Sequence, residues 1–128
     1  MRLLLDTHAL LWWGREPQRL GPAARVEIDS EDNERFVSAV SAMEISTKFR
    51  LGKLPEAFAL AKAFADETAA AGFEHLPITV EHAQLAGNLP MDHRDPFDRL
   101  LMAQALLEGM ALVSNETVFD SFGVSRLW

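Results

Sequence analysis

Arg2-Leu3-Leu4-Leu5-Asp6-Thr7-His8-Ala9-Leu10-Leu11-Trp12-Trp13 is the stretch on which the fold turns. Arg2–Leu5 is a short apolar run and reads as a strand, ended by Asp6. From Thr7 through Trp13 the pattern becomes helical, and Gly14 to Pro17 breaks it. The same alternation continues outward. Gly21-Pro22 opens a second helix through Val26 and Ile28 into the polar loop Asp29–Glu34, Pro22 suiting a first helical turn. Arg35–Ala39 reads as a strand, Ser41 as a helix cap, and Ala42–Leu51 as a helix closed by Gly52. Glu56–Ala71 is an alanine-rich helix with Phe58, Ala61, Phe64 and Ala65 at core-facing spacings, stopped by Gly72. Glu74–Ile78 is a weak strand interrupted by Pro77, and Val80–Asn88 another helix. Asp95-Pro96 opens a helix to Glu108 that Gly109 ends. Met110–Ser114 is a strand, followed by a helical turn and a last strand near Val124–Leu127.

Short apolar strands separated by helices, with no two-residue hairpin signals between them, predict an α/β domain on a mainly parallel sheet. The 128 residues make one compact domain, 1–128, without repeat, linker or low-complexity tract. Apolar residues are 48% and charged residues 24%, the proportions of an ordinary globular chain. No apolar run approaches the ~20 residues of a spanning helix, and Asp6 cuts short any signal-peptide core. With no cysteine there is no disulfide framework, thiolate nucleophile or Cys-built zinc site. A cytoplasmic protein without a membrane partner is expected.

Nineteen acids against 12 bases give a net charge of −7. As a whole-molecule field this disfavours nucleic acid, but acids gathered on a cation reverse the local sign. Their positions therefore matter more than their sum. In an open parallel sheet, ligands bind beyond the carboxyl ends of the strands, and four acids fall there. Asp6 ends the first strand. Glu44 falls in the first turn of the helix after the second strand. Asp98 falls in the first turn of the helix opened by Asp95-Pro96, and Glu116 lies two residues beyond Ser114. Each has a structural explanation as well: Asp6 as a cap, Asp98 and Glu44 as acids favoured by the helix dipole, Glu116 as a solvated loop residue. Convergence would be costly, at roughly 3 kcal/mol per pair at ~5 Å and an effective dielectric of ~20. A cluster of that kind requires protons or a cation. Oxygen ligands without cysteine or a histidine pair point to Mg²⁺ or Mn²⁺, whose usual chemistry at such a site is phosphoryl transfer or phosphodiester hydrolysis.

Asp6-Thr7-His8-Ala9-Leu10-Leu11-Trp12, Val37-Ser38-Ala39 with Ala42-Met43-Glu44-Ile45, Arg50-Leu51-Gly52-Lys53-Leu54, and His93-Arg94-Asp95-Pro96-Phe97-Asp98-Arg99-Leu100-Leu101 occur in that order. Leu112-Val113-Ser114-Asn115-Glu116 and Phe122-Gly123-Val124 complete the set. Together, over the whole chain, they resemble the PIN-domain ribonucleases, in particular the VapC-type toxins of bacterial toxin–antitoxin pairs. The resemblance implies a three-layer α/β/α sandwich and a metal-dependent endoribonuclease. Asp6, Glu44 and Asp98 match the family's three acidic positions, and Glu116 falls where a fourth acid, commonly Asp, is found. Asp120 is a second candidate for that place, while Thr7 or Ser114 would orient a ligand or water through a hydroxyl.

By the same resemblance these acids hold one or two Mg²⁺ or Mn²⁺ ions, which activate water for in-line attack and leave 5′-phosphate and 3′-hydroxyl ends. Lys48, Arg50, Lys53, Arg94 and Arg99 are candidates for substrate contact, with a solvated helix end or loop as the plainer account and, for Arg99, a neighbouring acid as partner. A cognate antitoxin, an RNA substrate and a homodimer are the implied partners. The Glu56–Ala71 helix with the helix pair before it is a candidate groove for the antitoxin tail, internal burial of its apolar face being the alternative. His8, His75 and His82 lack ligand spacing and read as structural or surface residues; Trp12, Trp13 and Trp128 read as packing aromatics. A phospho-acceptor domain fits poorly, since His8 stands where the haloacid phosphatases have a second Asp and no Lys follows residue 62. A catalytically silent PIN-like RNA- or partner-binding module remains the alternative.

Overall fold

The computed structural model of the protein describes residues 1–128. Five strands, β1 Arg2–Leu5, β2 Glu34–Ser38, β3 Glu74–Leu76, β4 Ala111–Val113 and β5 Arg126–Leu127, form one sheet in the order β3-β2-β1-β4-β5. Every neighbouring pair is parallel. Six helices connect or flank them: α1 Thr7–Arg15, α2 Pro22–Asp29, α3 Ala39–Arg50, α4 Phe58–Ala70, α5 Val80–Asn88 and α6 Pro96–Glu108. None is long and apolar enough to cross a membrane.

Side chains alternate across a strand, and here both faces are covered. Leu3, Leu5, Val37 and Val113 pack into one core with side chains of α1, α2, α3 and α4. Leu4, Phe36, Leu76 and Leu112 pack into a second core with α5 and α6. The result is the three-layer α/β/α sandwich. Because β1 lies at the centre of the sheet, Leu3, Leu4 and Leu5 are fully buried, each stabilising the fold by roughly 2 kcal/mol. Truncating Leu4 to alanine would add a cavity cost to that loss.

The register sets up the edge that matters. Leu5 pairs with Val37 on one side and Val113 on the other. The next residue on each strand, Asp6, Ser38 and Ser114, therefore stands in one row at the carboxyl edge. The Asp6 amide continues the ladder by one bond, donating to the Val113 carbonyl at 3.0 Å.

Three local expectations are corrected. First, α3 begins at Ala39, capped by Ser38, whose Oγ accepts from the Val40 amide; Ser41 is buried inside the helix. Two capping-type residues stand three apart, and the first wins because it already has strand-end backbone angles, φ −88° and ψ 150°. Second, α4 is two helical pieces joined at Ala63, with φ −140° and ψ 45°. That joint breaks the 3.6-residue phase, so Phe58 is 62% exposed while Ala61 and Phe64 pack against the core, and Ala65 is exposed. Third, α1 runs on through Gly14 to Arg15. Gly109, by contrast, ends α6 as expected, with the left-handed φ of 64° that favours glycine there.

Candidate active site

Asp6 has two duties. Its Oδ1 accepts from the Ala9 amide at 2.8 Å, capping α1, and its carboxylate lines a pocket of about 100 Å³ at the carboxyl edge of the sheet. Burial pushes its pKa up to about 6; the nearby Asp98 adds to the rise, while the Ser114 hydroxyl, the Ala9 N–H and His8 act against it. Capping and site roles coincide because a residue that ends a central strand and starts a helix points along the sheet edge.

Glu44 enters the same pocket from α3. With the helix starting at Ala39, it lies in the second turn, not the first, and is buried there. Both carboxylate oxygens are engaged. Thr7 Oγ1 donates to Oε1 at 2.6 Å and lies 3.0 Å from Ser41 Oγ; Lys48 Nζ donates to Oε2 at 2.5 Å.

Asp98 is the third residue of α6, behind the cap Asp95, whose Oδ1 accepts from the Phe97 and Asp98 amides. Burial raises the Asp98 pKa, Asp95 and Glu44 push the same way, and His93 opposes. The opposing contact is direct, with His93 Nε2 2.7 Å from Asp98 Oδ2. Glu116 is exposed at the pocket mouth. It precedes the 3-10 turn Thr117–Asp120 without a side-chain capping bond, and its amide donates to Ser114 Oγ at 3.0 Å.

The structure thus brings Asp6, Glu44, Asp98 and Glu116 to one pocket with Thr7 and Lys48. It also brings Asp95 and His8, neither of which was expected there. His8 sits one residue into α1 beside the acid it follows, a placement that ligand spacing does not reveal. His75 and His82 are structural: His75 Nε2 is 2.8 Å from Thr68 Oγ1, and the buried His82 shares a capping box with Thr79 and lies 2.8 Å from Glu108.

The remaining candidates fall elsewhere. Asp120 forms an ion pair with Arg126 that holds its pKa down. Arg50, Lys53 and Arg94 are exposed and outside the pocket lining. Arg99 is corrected to a structural role. Its guanidinium donates to the carbonyls of Ala86, Gly87, Leu89, Met91 and His93 at 2.7–3.4 Å, committing its five donors to the segment that carries His93 and Asp95. It pairs with no acid.

As the side chains stand, no three carboxylates or imidazoles are arranged to hold an ion, and Lys48 occupies one side of Glu44. The donor chemistry nevertheless fits a hard divalent cation: several carboxylates, no sulfur, and two acids whose pKa values are raised by burial and by neighbouring carboxylates, Asp6 by Asp98 and Asp98 by Asp95 and Glu44. A cation would relieve that repulsion.

The PIN domain family matches residues 3–124 of the chain. Ribonuclease VapC22 of Mycobacterium tuberculosis is 33% identical over 115 residues, covering 89% of this chain and 86% of the relative. Among solved structures, a chain of VapBC2 from Rickettsia felis bound to a DNA fragment from their promoter superposes with a TM-score of 0.70 at 15% identity, each chain covered in full. A chain of DNA-bound VapBC from Salmonella typhimurium gives a TM-score of 0.64 at 18% identity, covering 98% of this chain and 96% of that one. The two structural likenesses are of fold; the family match and the relative carry sequence kinship as well. The chain belongs to the PIN domain family, among its VapC-type members.

Proposed function

We propose that this protein is the toxin of a toxin–antitoxin pair, an endoribonuclease that hydrolyses RNA phosphodiester bonds at its acidic pocket with Mg²⁺ or Mn²⁺. The observation that carries the reading is the meeting of Asp6, Glu44, Asp98 and Glu116, from four separate parts of the chain, in one polar pocket at the carboxyl edge. Kinship to a ribonuclease supports the same activity.

Asp6 and Asp98, with Glu44 and Glu116 beside them, would hold the cation. When bound it supplies positive charge to the phosphate oxygens and lowers the pKa of water for in-line attack, leaving 5′-phosphate and 3′-hydroxyl ends. The chain's own residues do the aiming. Ser114 and the Ala9 amide fix Asp6 from one side. His93 fixes Asp98, itself held by the segment that Arg99 clamps. Thr7 and Lys48 fix Glu44. Arg50, Lys53 and Arg94, free on the surface, are the proposed contacts for the flanking RNA phosphates. The reading places the protein in the cytoplasm with its RNA.

A cognate antitoxin is the expected partner, and the neighbouring folds come from such complexes. Its tail has a fitting groove between α1 and α4, a cavity of about 230 Å³ walled by Leu10, Leu11, Trp13, Ala57, Leu60 and Phe73. A homodimer belongs to the same proposal. The test is incubation of partner-free protein with end-labelled single-stranded RNA and Mn²⁺. Cleavage with 5′-phosphate ends that EDTA and Asp98→Asn both abolish is the expected result. Intact RNA over a panel of substrates, together with the absence of tight Mn²⁺ binding, would favour a silent binding module.

A further inference from the structure

Five carboxylates line the pocket, from Asp6, Glu44, Asp95, Asp98 and Glu116, and Lys48 is the one ammonium among them. Its placement is specific. Lys48 follows Glu44 by four residues on α3, the order in which a helical Glu–Lys pair is favoured. The Glu44 side chain is only 5% exposed, whereas Lys48 is 30% exposed. The carboxylate is thus fixed and its partner sits at the opening, on a flexible four-carbon stem able to swing out. Thr7 holds the other oxygen of Glu44, so the carboxylate keeps its position whether or not the ammonium is there.

We propose that Lys48 is a tethered counter-cation that occupies Glu44 and competes with divalent metal for it, so that the pocket takes one divalent ion, through Asp6 and Asp98. Glu44 joins as a ligand only when Lys48 is displaced, for example toward the phosphate of an arriving RNA strand. Lys48 is then a positioning residue that couples substrate arrival to completion of the metal site. The inference rests on the nuclease reading and deepens it.

Mn²⁺ binding, followed by electron paramagnetic resonance on the partner-free full chain, tests it without using cleavage. The wild type takes one Mn²⁺. Lys48→Met, which keeps the stem and removes the charge, either takes a second ion or binds the first more tightly. The gain is about tenfold, the order of magnitude a unit charge in the same small pocket as a divalent ion carries even at the dielectric of water. Lys48→Arg behaves as wild type. A plain structural ion pair would give either no change in Lys48→Met or a gain of the same size when Lys48→Met is made on a Glu44→Gln background, since removing a nearby positive charge favours a cation by itself, and either result overturns the proposal. So would two ions in the wild type, which needs no variant to fold. If wild-type protein binds no Mn²⁺ at all, the nuclease reading fails with it; if it binds and Lys48→Met matches it, only the role of Lys48 fails.

Discussion

Replacing Asp6 by Asn should stabilise the metal-free protein, although Asp6 is at the centre of the site. The carboxyl is 5% exposed and burial moves its pKa from 3.8 to about 6. A carboxyl with a raised native pKa binds more protons in the folded state than in the unfolded state. Stability therefore falls as pH rises from about 4 to about 6 and then levels off. A rise of roughly two pH units corresponds to about 3 kcal/mol, the cost carried by the charged wild type at neutral pH. Asn caps a helix as well as Asp does, so the bond from the Ala9 amide survives, and the Ser114 hydroxyl can turn to accept from the new amide. For a chain of 128 residues, about 3 kcal/mol corresponds to about 10 °C in Tm. The assay is thermal unfolding of both proteins in EDTA from pH 4 to pH 8. Asp6→Asn should exceed wild type by about that amount at pH 7.5, with the gap closing toward pH 4. Mn²⁺ should then raise the wild type and leave the variant unmoved. A variant less stable than wild type at pH 7.5, or a gap constant across the range, would refute the reasoning.

Other consequences concern the supports of the site. Arg99→Met removes a charged clamp on five carbonyls and should cost about 3 kcal/mol, read as a lower urea midpoint, with Lys at the same place failing to restore it. His93→Ala should weaken Mn²⁺ binding by about 10- to 100-fold, the usual effect of losing a group that orients a ligand, while a calorimetric scan in EDTA shows the fold intact. Ser38→Ala removes the cap of α3 and leaves the buried Gln104 Oε1, now 2.6 Å from Ser38 Oγ, without its donor; a loss of about 2 kcal/mol by chemical denaturation is expected.

The elements readable in the sequence were those with local punctuation. Arg2–Leu5 with Asp6, Val80–Asn88, and Asp95-Pro96 through Gly109 stand as read, because each carries its own cap, proline or glycine. Where two signals of one kind competed, the tertiary context decided: Ser38 over Ser41 as the cap of α3, and with it the turn in which Glu44 lies. The joint at Ala63 carries no sequence mark, so a single helical phase assigned Phe58 wrongly to the core. The convergence of the four acids was legible because it depends on strand ends, which the sheet aligns by register. Their partners were not. Lys48 on Glu44 and His93 on Asp98 are contacts made at side-chain tips, and Arg99 turned inward to carbonyls because the 86–93 segment folds back over α6.

The central claim is that the acidic pocket cuts RNA. Mapping of 5′ ends in total bacterial RNA, after incubation with purified partner-free protein and Mn²⁺ beside an Asp6→Asn control, tests it most directly. Discrete new 5′-phosphate ends, absent with the variant and with EDTA, are the predicted result and would also identify the target. No new ends from folded protein that binds Mn²⁺, or the same ends from the Asp6→Asn control, would contradict it.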